Sequence, residues 1–172
     1  MSSEQGVVLS MLPSERKNTT LCFLVRGDSV LLAMKKRGFG QGKWNGVGGK
    51  ILTGETPEAA TIRETQEEIG VMLTSLSKVA LLHFLFPDAP ENDDWDQTCH
   101  VYLAHAWEGE PVETDEMAPR WFQIDALPFS SMWSDDAIWL PRVLRGSLVT
   151  ATFVFDENQE CLSHSLVEGH VE

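Results

Sequence analysis

The stretch that decides the fold is residues 49–71, GKILTGETPEAATIRETQEEIGV. Its centre predicts a helix over residues 57–69, because Thr56 can act as N-cap and Pro57 suits the first helical position. Gly70 predicts the end of that helix, since glycine readily adopts the left-handed conformation that terminates helices. We therefore expect a short extended piece at residues 51–52 followed by one well-bounded helix.

Three carboxylates share one face of this predicted helix. At about 100° per residue, Glu64, Glu67 and Glu68 fall within about 100° of one another. The opposite stripe, expected to be buried, contains Ile62, Thr65 and Ile69. Like charges at this spacing weaken a helix when nothing lies between them. Two interpretations are open: a solvated acidic face, or a site for a hard divalent cation such as Mg²⁺, which prefers carboxylates, water and phosphates.

The complete spacing of the stretch favours the metal site. It fits the pattern Gly-x5-Glu-x7-Arg-Glu-U-x-Glu-Glu-x-Gly-U, where U is a large aliphatic residue. This pattern resembles the Nudix box of diphosphate hydrolases, with seven fixed positions and Val71 matching and a single departure at Thr65. Because position 65 falls in the buried stripe, we expect some loss of packing there. A hydrogen bond from the Thr65 hydroxyl to the carbonyl one turn back would reduce that loss.

The resemblance implies a fold and a metal site. The implied fold is of the α/β class, an α/β/α sandwich with a mixed central sheet and the box as loop–helix–loop. The implied cofactor is Mg²⁺, which Mn²⁺ can replace. Its implied ligands are Glu64, Glu67, Glu68 and the Gly49 carbonyl. By the same resemblance Arg63 orients the carboxylates and Glu55 supports them, although Glu55 can equally be a polar loop residue.

Outside this stretch the chain predicts further strands and one further helix. Residues 19–25 and 30–34 are rich in β-formers and flank a turn at residues 26–29, which indicates a hairpin. The loop over residues 35–50 is glycine-rich, which suits a mobile lid or a backbone that approaches another group closely. We also expect strands at residues 79–86, 98–107, 121–122 and 149–155, a helix at 135–144 and an exposed acidic loop at 87–96. Residues 1–18 are interpreted as a tail and residues 19–172 as one domain.

Composition limits the partners. Asp and Glu number 26 against 13 Lys and Arg, so the formal net charge is −13, which excludes the basic surface that a nucleic-acid polymer requires. The longest apolar runs are strand-sized, which predicts no membrane span, and the first residues do not resemble a signal peptide. Cys22, Cys99 and Cys161 match no metal or disulfide spacing. A reducing compartment, the cytoplasm, is therefore expected.

Three further stretches resemble the MutT-homologue branch of the Nudix family, which removes oxidised purine nucleoside triphosphates from the nucleotide pool. They are residues 34–40 with 44–46, residues 113–117 and residues 132–136. The resemblance implies a base pocket in which Trp133 stacks on the base and Asp135 and Asp136 bind it. Two carboxyls so close are not expected both to ionise, so a shared proton would let the pair read more than one purine edge. The alternative is a core tryptophan beside a polar helix start.

Other candidates for the base pocket carry alternatives of their own. Asn45 would offer an amide to the other side of the base, although Asn-Gly by itself predicts a turn. Phe39 and Phe84 would form apolar walls together with Trp133. Phe84 alternates with its neighbours as a core residue also would.

The resemblance places three more residues at the site. Thr20 and Lys35 correspond to the pocket edge, although Lys35 can also belong to a solvated basic run at residues 35–37. Glu116 matches a position where Nudix enzymes often carry an additional metal-linked or base carboxylate.

Three functions are compatible with these residues. The first is a pyrophosphohydrolase of oxidised purine (deoxy)nucleoside triphosphates, such as 8-oxo-dGTP and 2-hydroxy-dATP, that yields a monophosphate and pyrophosphate. The second is a Nudix hydrolase of another nucleoside diphosphate derivative, such as an ADP-sugar, which would not require Asn45 or residues 133–136. The third is an inactive module that only binds nucleotides, although no box glutamate is missing. The expected partner is a small purine nucleotide, bound by a monomer.

Overall fold

The computed structural model describes residues 16–91 and 93–171. The strands are β1 (Lys17–Arg26), β2 (Ser29–Lys35), β3 (Trp44–Asn45), β4 (Met72–Leu85), β5 (Gln97–Glu108), β6 (Met117–Gln123), β7 (Val149–Phe155) and β8 (Cys161–Glu168). The helices are α1 (Pro57–Ile69) and α2 (Asp136–Leu144), and a 3₁₀ turn (Phe129–Ser131) precedes α2. The predicted helix over 57–69 and strand over 149–155 are confirmed to the residue.

The strands form a mixed sheet. Within the described residues its order is β3-β2-β1-β5-β4-β7-β8, and β6 pairs with β2. β1 runs parallel to β5 and β4 runs parallel to β7, while the remaining pairs are antiparallel. The predicted hairpin joins β1 to β2 through Gly27, whose φ of +58° suits a residue without Cβ. This topology places the starts of β1 and β5 and the end of β4 side by side.

Alternation along the strands divides the core between the two faces of the sheet. Cys22 of β1 belongs to the buried cluster that contains Ile69 of α1. The next residue, Phe23, belongs to the cluster that contains Trp139 of α2, and the two rings meet edge to face at 5.9 Å. Because successive side chains of a strand point to opposite faces, the two helices cover opposite sides of the sheet. The predicted α/β/α arrangement with a mixed sheet is confirmed.

Several boundaries differ from the predictions. Lys17 and Asn18, assigned to the tail, pair in register with the start of β5, while residues 1–15 of the tail lie outside the described residues. β4 begins at Met72, whereas the strand was predicted to begin at residue 79. The first half of β4 was not predicted because it is largely exposed and shifts register against β5. β8 was not predicted, since its mostly exposed edge strand lacks an apolar alternation. Helix α2 begins one residue later than predicted.

The loop over residues 87–96 is not simply exposed, which corrects the prediction. Trp95 is partly buried and packs on Phe39 and Phe86, with ring centroids 5.2 and 5.7 Å away. The carboxylate of Asp96 accepts a hydrogen bond from the Phe86 backbone N–H at 2.7 Å. One apolar side chain in an acidic segment therefore folds the loop back onto the sheet.

The cysteines are free thiols, as the spacing predicted. Burial raises the pKa of both Cys22 and Cys99 to about 12, so these two thiols stay protonated at neutral pH. No helix in the described part of the chain is long and apolar enough to cross a membrane.

Candidate functional site

Helix α1 is built to hold its carboxylates in fixed positions. The Thr56 hydroxyl accepts a hydrogen bond from the Ala59 backbone N–H at 3.1 Å, and Gly70 ends the helix with a φ of +77°. The Thr65 hydroxyl donates to the Thr61 carbonyl at 2.7 Å, as predicted for this buried polar position. The helix therefore keeps its polar groups satisfied in spite of the departure from an aliphatic residue.

The glycines before α1 allow the loop to pass between β1 and the helix. A Cβ on Gly49 would lie 2.6 Å from the carboxyl carbon of Glu64, and one on Gly48 would overlap the Thr20 carbonyl. The Thr20 backbone N–H donates to the Gly49 carbonyl at 2.9 Å. Close approach of backbone explains these two glycines, and the loop presses directly against a predicted metal ligand.

Arg63 binds the carboxylates around it. Its guanidinium donates two hydrogen bonds to Glu55, at 2.7 and 2.9 Å, and one each to Glu64 and Glu67, at 2.8 and 3.3 Å. A fourth acceptor is the Lys50 carbonyl at 3.1 Å. The hydrogen bonds from Arg63 lower the pKa of Glu55 to about 2. The contacts thus give Glu55 a definite partner, and Arg63 lies where it can orient the carboxylates.

Glu68 is the most perturbed of the three box glutamates. Burial, followed by the charge of Glu64, raises the pKa of Glu68 to about 8, while the Gly48 N–H and Lys35 act in the opposite direction. Its Oε2 is buried and has no hydrogen-bond partner within residues 16–91 and 93–171. By contrast the Glu67 side chain is 59% exposed. Glu64 and Glu68 therefore crowd the same end of the helix face, where a bound cation would favour the ionised form of Glu68.

A divalent cation fits this arrangement. The glycine cradle, the orphaned Glu68 oxygen and the hard oxygen donors are what Mg²⁺ or Mn²⁺ would use. In the described part of the chain no group of three or more acidic, His or Cys side chains is arranged to hold a metal ion by itself. Mg²⁺ does not need such a group, since it typically keeps waters and takes substrate phosphates as ligands. The site is accordingly one that phosphate would complete.

Glu116 is engaged elsewhere. Its exposed carboxylate accepts a hydrogen bond from Arg37 at 2.6 Å, and Arg37 lowers the pKa of Glu116. Thr114, in the same loop, donates from its hydroxyl to the Glu68 carbonyl at 2.7 Å, which ties the loop to the end of α1. A metal-linked role for Glu116 stays a prediction, and it would require this carboxylate to leave Arg37.

A cavity of about 340 Å³ lies next to the glycine loop. The predicted substrate residues all line it: Thr20, Lys35, Phe39, Asn45, Phe84, Trp133, Asp135 and Asp136. Gly48, Gly49 and Lys50 form part of the same wall. The loop that touches Glu64 on one side thus borders the cavity on the other.

The two aspartates at the start of α2 are each only 2% exposed. Oδ2 of Asp135 accepts a hydrogen bond from Nε1 of Trp139 at 2.7 Å, whereas Oδ2 of Asp136 has no partner among the described residues. Burial raises the pKa of Asp135 to about 6, and burial together with the Asp135 charge raises that of Asp136 well above its usual value. Neither carboxylate caps the helix with its side chain, so the pair is not merely a polar helix start.

Aromatic rings form one end of the cavity. Trp133 lies 5.2 Å from Phe39 between ring centroids, and the Lys43 ammonium lies 5.2 Å from the Trp133 ring. Phe84 contacts Phe153 in the core at 6.0 Å and also lines the cavity, so both interpretations of Phe84 hold. An apolar wall beside two buried acids suits a flat heteroaromatic ring with polar edges.

Three polar candidates also line the cavity: Thr20, Lys35 and Asn45. Asn45 lies in β3 and pairs with Ala33 rather than standing in an isolated turn, and its Oδ1 accepts from the Gly46 N–H at 2.8 Å. Lys35 points to the cavity, whereas Lys36 pairs with Glu113 and Arg37 with Glu116, so the basic run is divided. The Thr20 hydroxyl is buried and unpartnered within the described residues.

Several cavity residues could not be predicted from the sequence. These are Lys43, Phe86, Gln97 and Phe155, with Trp95 packed behind them. From the sequence alone, Phe86 and Phe155 resemble ordinary strand residues. Their common place in the cavity wall follows from the pairing of β4 with β7, which only the folded chain shows. Trp95, a lone large apolar residue in an acidic loop, was the one available signal.

Comparisons with known proteins agree with this geometry. The family model described as NUDIX domain matches residues 15–143. The chain is 45% identical to the oxidized purine nucleoside triphosphate hydrolase of Danio rerio over 88% of this chain and 95% of that protein. It is 42% identical to the protein of the same name from Mus musculus, over 87% and 93%. The crystal structure of a MutT protein from Bacillus halodurans superposes with a TM-score of 0.73 at 25% identity, covering 87% and 97% of the two chains. By its box, its fold and these relatives, the chain belongs to the Nudix hydrolase family.

Proposed function

We propose that this protein hydrolyses oxidised purine nucleoside triphosphates to the monophosphate and pyrophosphate. The observation that carries the proposal is the shared wall at Gly48–Lys50, which borders the aspartate-lined cavity and touches the carboxylate face of α1. A nucleotide with its base among the aromatic rings would then extend its phosphates toward the box glutamates. The two relatives named for this activity match nearly the whole chain, which supports the same substrate class.

Different residues of the chain would act at the two ends of the nucleotide. Glu64, Glu67, Glu68 and the Gly49 carbonyl would hold Mg²⁺, or Mn²⁺ in its place. Once bound, that cation neutralises the polyphosphate and lowers the pKa of an attacking water. Arg63 holds Glu64 and Glu67 in place and is itself held by Glu55. These contacts indicate that Arg63 and Glu55 position the box glutamates. The box glutamates would then act on the reacting groups.

At the base end, the aspartate pair would provide both a donor and an acceptor. Since burial raises the pKa of both carboxyls, and the charge of Asp135 raises that of Asp136 further, the pair holds a proton near neutral pH. Moving that proton between Asp135 and Asp136 reverses which oxygen donates. This fits bases as different as 8-oxoguanine and 2-hydroxyadenine, and Trp133 and Phe39 would stack on either.

The wider setting is proposed from chemistry. Two buried reduced thiols suit a reducing compartment, the cytoplasm, where the free nucleotide pool is found. A net charge of −13 supports a small nucleotide as the partner and disfavours a nucleic-acid polymer. We propose that the protein acts as a monomer in which a single chain supplies both the box carboxylates and the cavity.

A turnover panel tests the proposal. The substrates are 8-oxo-dGTP, 2-hydroxy-dATP, dGTP, dATP and ADP-ribose, each assayed with Mg²⁺, with Mn²⁺ and with a chelator. Pyrophosphate and monophosphate are measured together. Preference for the oxidised triphosphates, with pyrophosphate released in equal amount to monophosphate, is expected. A preference for ADP-ribose, or binding without turnover, would replace the proposal with the sugar-nucleotide or inactive alternative.

A further inference from the structure

Gln97 lines the cavity but has no role in the activity described so far. It opens β5, where it pairs in register with Lys17 of β1 and Phe84 of β4. Residues in register on adjacent strands share a face of the sheet, so Gln97 lies on the cavity floor beside a residue that forms its apolar wall. A polar side chain beside an apolar wall is expected to have a hydrogen-bond partner.

A short chain of hydrogen bonds fixes the orientation of the Gln97 amide. The Thr19 hydroxyl donates to Gln97 Oε1 at 2.8 Å, and Thr19 also hydrogen-bonds the Cys99 side chain. Burial raises the pKa of Cys99 to about 12, so this neighbouring thiol stays protonated. The bond from Thr19 occupies the Gln97 oxygen, and the amide nitrogen therefore points away from that bond.

The amide nitrogen of Gln97 is left available. Within residues 16–91 and 93–171, Nε2 makes no hydrogen bond. Cys99 lines the same cavity as Asp135 and Asp136, and the charges of both aspartates raise the pKa of its thiol. Gln97 is two residues along the same strand, about 7 Å away at the usual rise per residue. A fused two-ring base held by the acids can reach across that interval to the amide.

Charge decides what the amide is suited to bind. The aspartate pair offers acceptors and a single shared proton, so it cannot supply donors to every oxygen of an oxidised base. An ammonium group at position 97 would ion-pair with the acids and remove that proton. A neutral amide donates a hydrogen bond and leaves the proton on the pair.

Resting on the proposed function, we infer that Gln97 is a specificity-determining residue whose Nε2–H donates to the exocyclic oxygen that oxidation adds to the purine. Thr19 is its positioning residue. The contact distinguishes an oxidised base from the unmodified base, which lacks that acceptor. A site whose polar group loses its partner rejects a ligand more strongly than one that loses apolar contact.

Two substitutions isolate the donor. Gln97→Met keeps length and removes the amide, while Gln97→Glu keeps an acceptor for Thr19 and removes the N–H. Gln123→Met is the matched control, since Gln123 is an exposed strand residue outside the cavity. The measurement is kcat/KM for the pairs 8-oxo-dGTP with dGTP and 2-hydroxy-dATP with dATP.

Both Gln97 variants are expected to lower the ratio of oxidised to unmodified substrate about tenfold for at least one pair, mainly through KM, with the control unchanged. Thr19→Val should lower the same ratio less, and should add nothing to Gln97→Met in the double variant. Ratios within about twofold of wild type for both pairs, or retention of the ratio by Gln97→Glu alone, would overturn the inference. Failure of the proposed function is distinguishable, because the wild-type protein would then not prefer oxidised triphosphates at all.

Discussion

The face of α1 and the start of α2 both bring carboxylates together, yet they hold them in opposite ways. On α1, Arg63 pairs with Glu55, Glu64 and Glu67, and Glu67 stays largely exposed. At α2, Asp135 and Asp136 are buried, and no cation within the described residues makes a hydrogen bond to them. The first arrangement holds Glu64 and Glu67 in ion pairs with Arg63, while burial raises the pKa of Glu68 to about 8. The second arrangement keeps one of two buried aspartates protonated. A carboxyl group can thus bind a cation or recognise a base through hydrogen bonds, depending on how well it is solvated.

The largest effect is expected on the α1 face. Glu67→Gln removes a charged metal ligand with little change in shape, so turnover should fall at least about 100-fold on every substrate alike. Because Glu67 is exposed, the melting temperature should stay close to wild type. Steady-state kinetics at saturating Mg²⁺ measures this, and near-normal turnover would remove Glu67 from the metal site.

At α2 the change should depend on the substrate. Asp135→Asn and Asp136→Asn each fix a donor and an acceptor and end proton exchange, so one oxidised purine should lose about tenfold more kcat/KM than the other. The two variants should differ in which purine suffers. Parallel kinetics on 8-oxo-dGTP and 2-hydroxy-dATP gives the ratio. Unchanged rate and ratio in both variants would place the base pocket elsewhere.

A substitution at Glu55 tests whether Arg63 acts by positioning the box glutamates. Glu55→Gln weakens two hydrogen bonds to Arg63, which frees the guanidinium to close on Glu64 and Glu67 and compete with the cation. We expect the apparent Mg²⁺ affinity to fall about tenfold, with a smaller loss of kcat at saturating metal. A metal titration of activity separates the two. An equal loss at all Mg²⁺ concentrations would show that Glu55 acts on the chemical step instead.

The smallest effect concerns stability and its pH dependence. The folded chain raises the pKa of Asp135 from 3.8 to about 6, so ionisation opposes folding increasingly between those values. Asp135→Asn keeps an acceptor for Trp139 and removes that penalty. The variant should be more stable than wild type by about 1–3 kcal/mol above pH 6 and should show no advantage near pH 4. Denaturant unfolding at the two pH values measures it; a pH-independent difference would contradict the assigned ionisation.

The same contrast explains what the sequence could predict. Helix α1 was predicted to the residue because Thr56, Pro57 and Gly70 act within a few residues of the helix ends. The resemblance picked out substrate candidates that all line the cavity, whereas local patterns alone favoured a turn for Asn45 and left Phe84 open between core and cavity wall. Gln97 and Phe155 were missed because they reach the cavity through strand pairing between distant segments. The burial of Asp135 and Asp136 likewise depends on how α2 packs on the sheet, which the residues next to them in sequence do not determine.

One peptide unit joins the two regions. Thr20 donates its backbone N–H to the Gly49 carbonyl, a predicted metal ligand, while its side chain faces the base cavity. A ligand bound in either region would restrain a backbone segment that the other uses. Thermodynamic linkage requires that any effect of the nucleotide on the cation's affinity equal, as a factor, the effect of the cation on the nucleotide's affinity. We therefore expect the glycine loop to couple two unlike ligands within a single small domain.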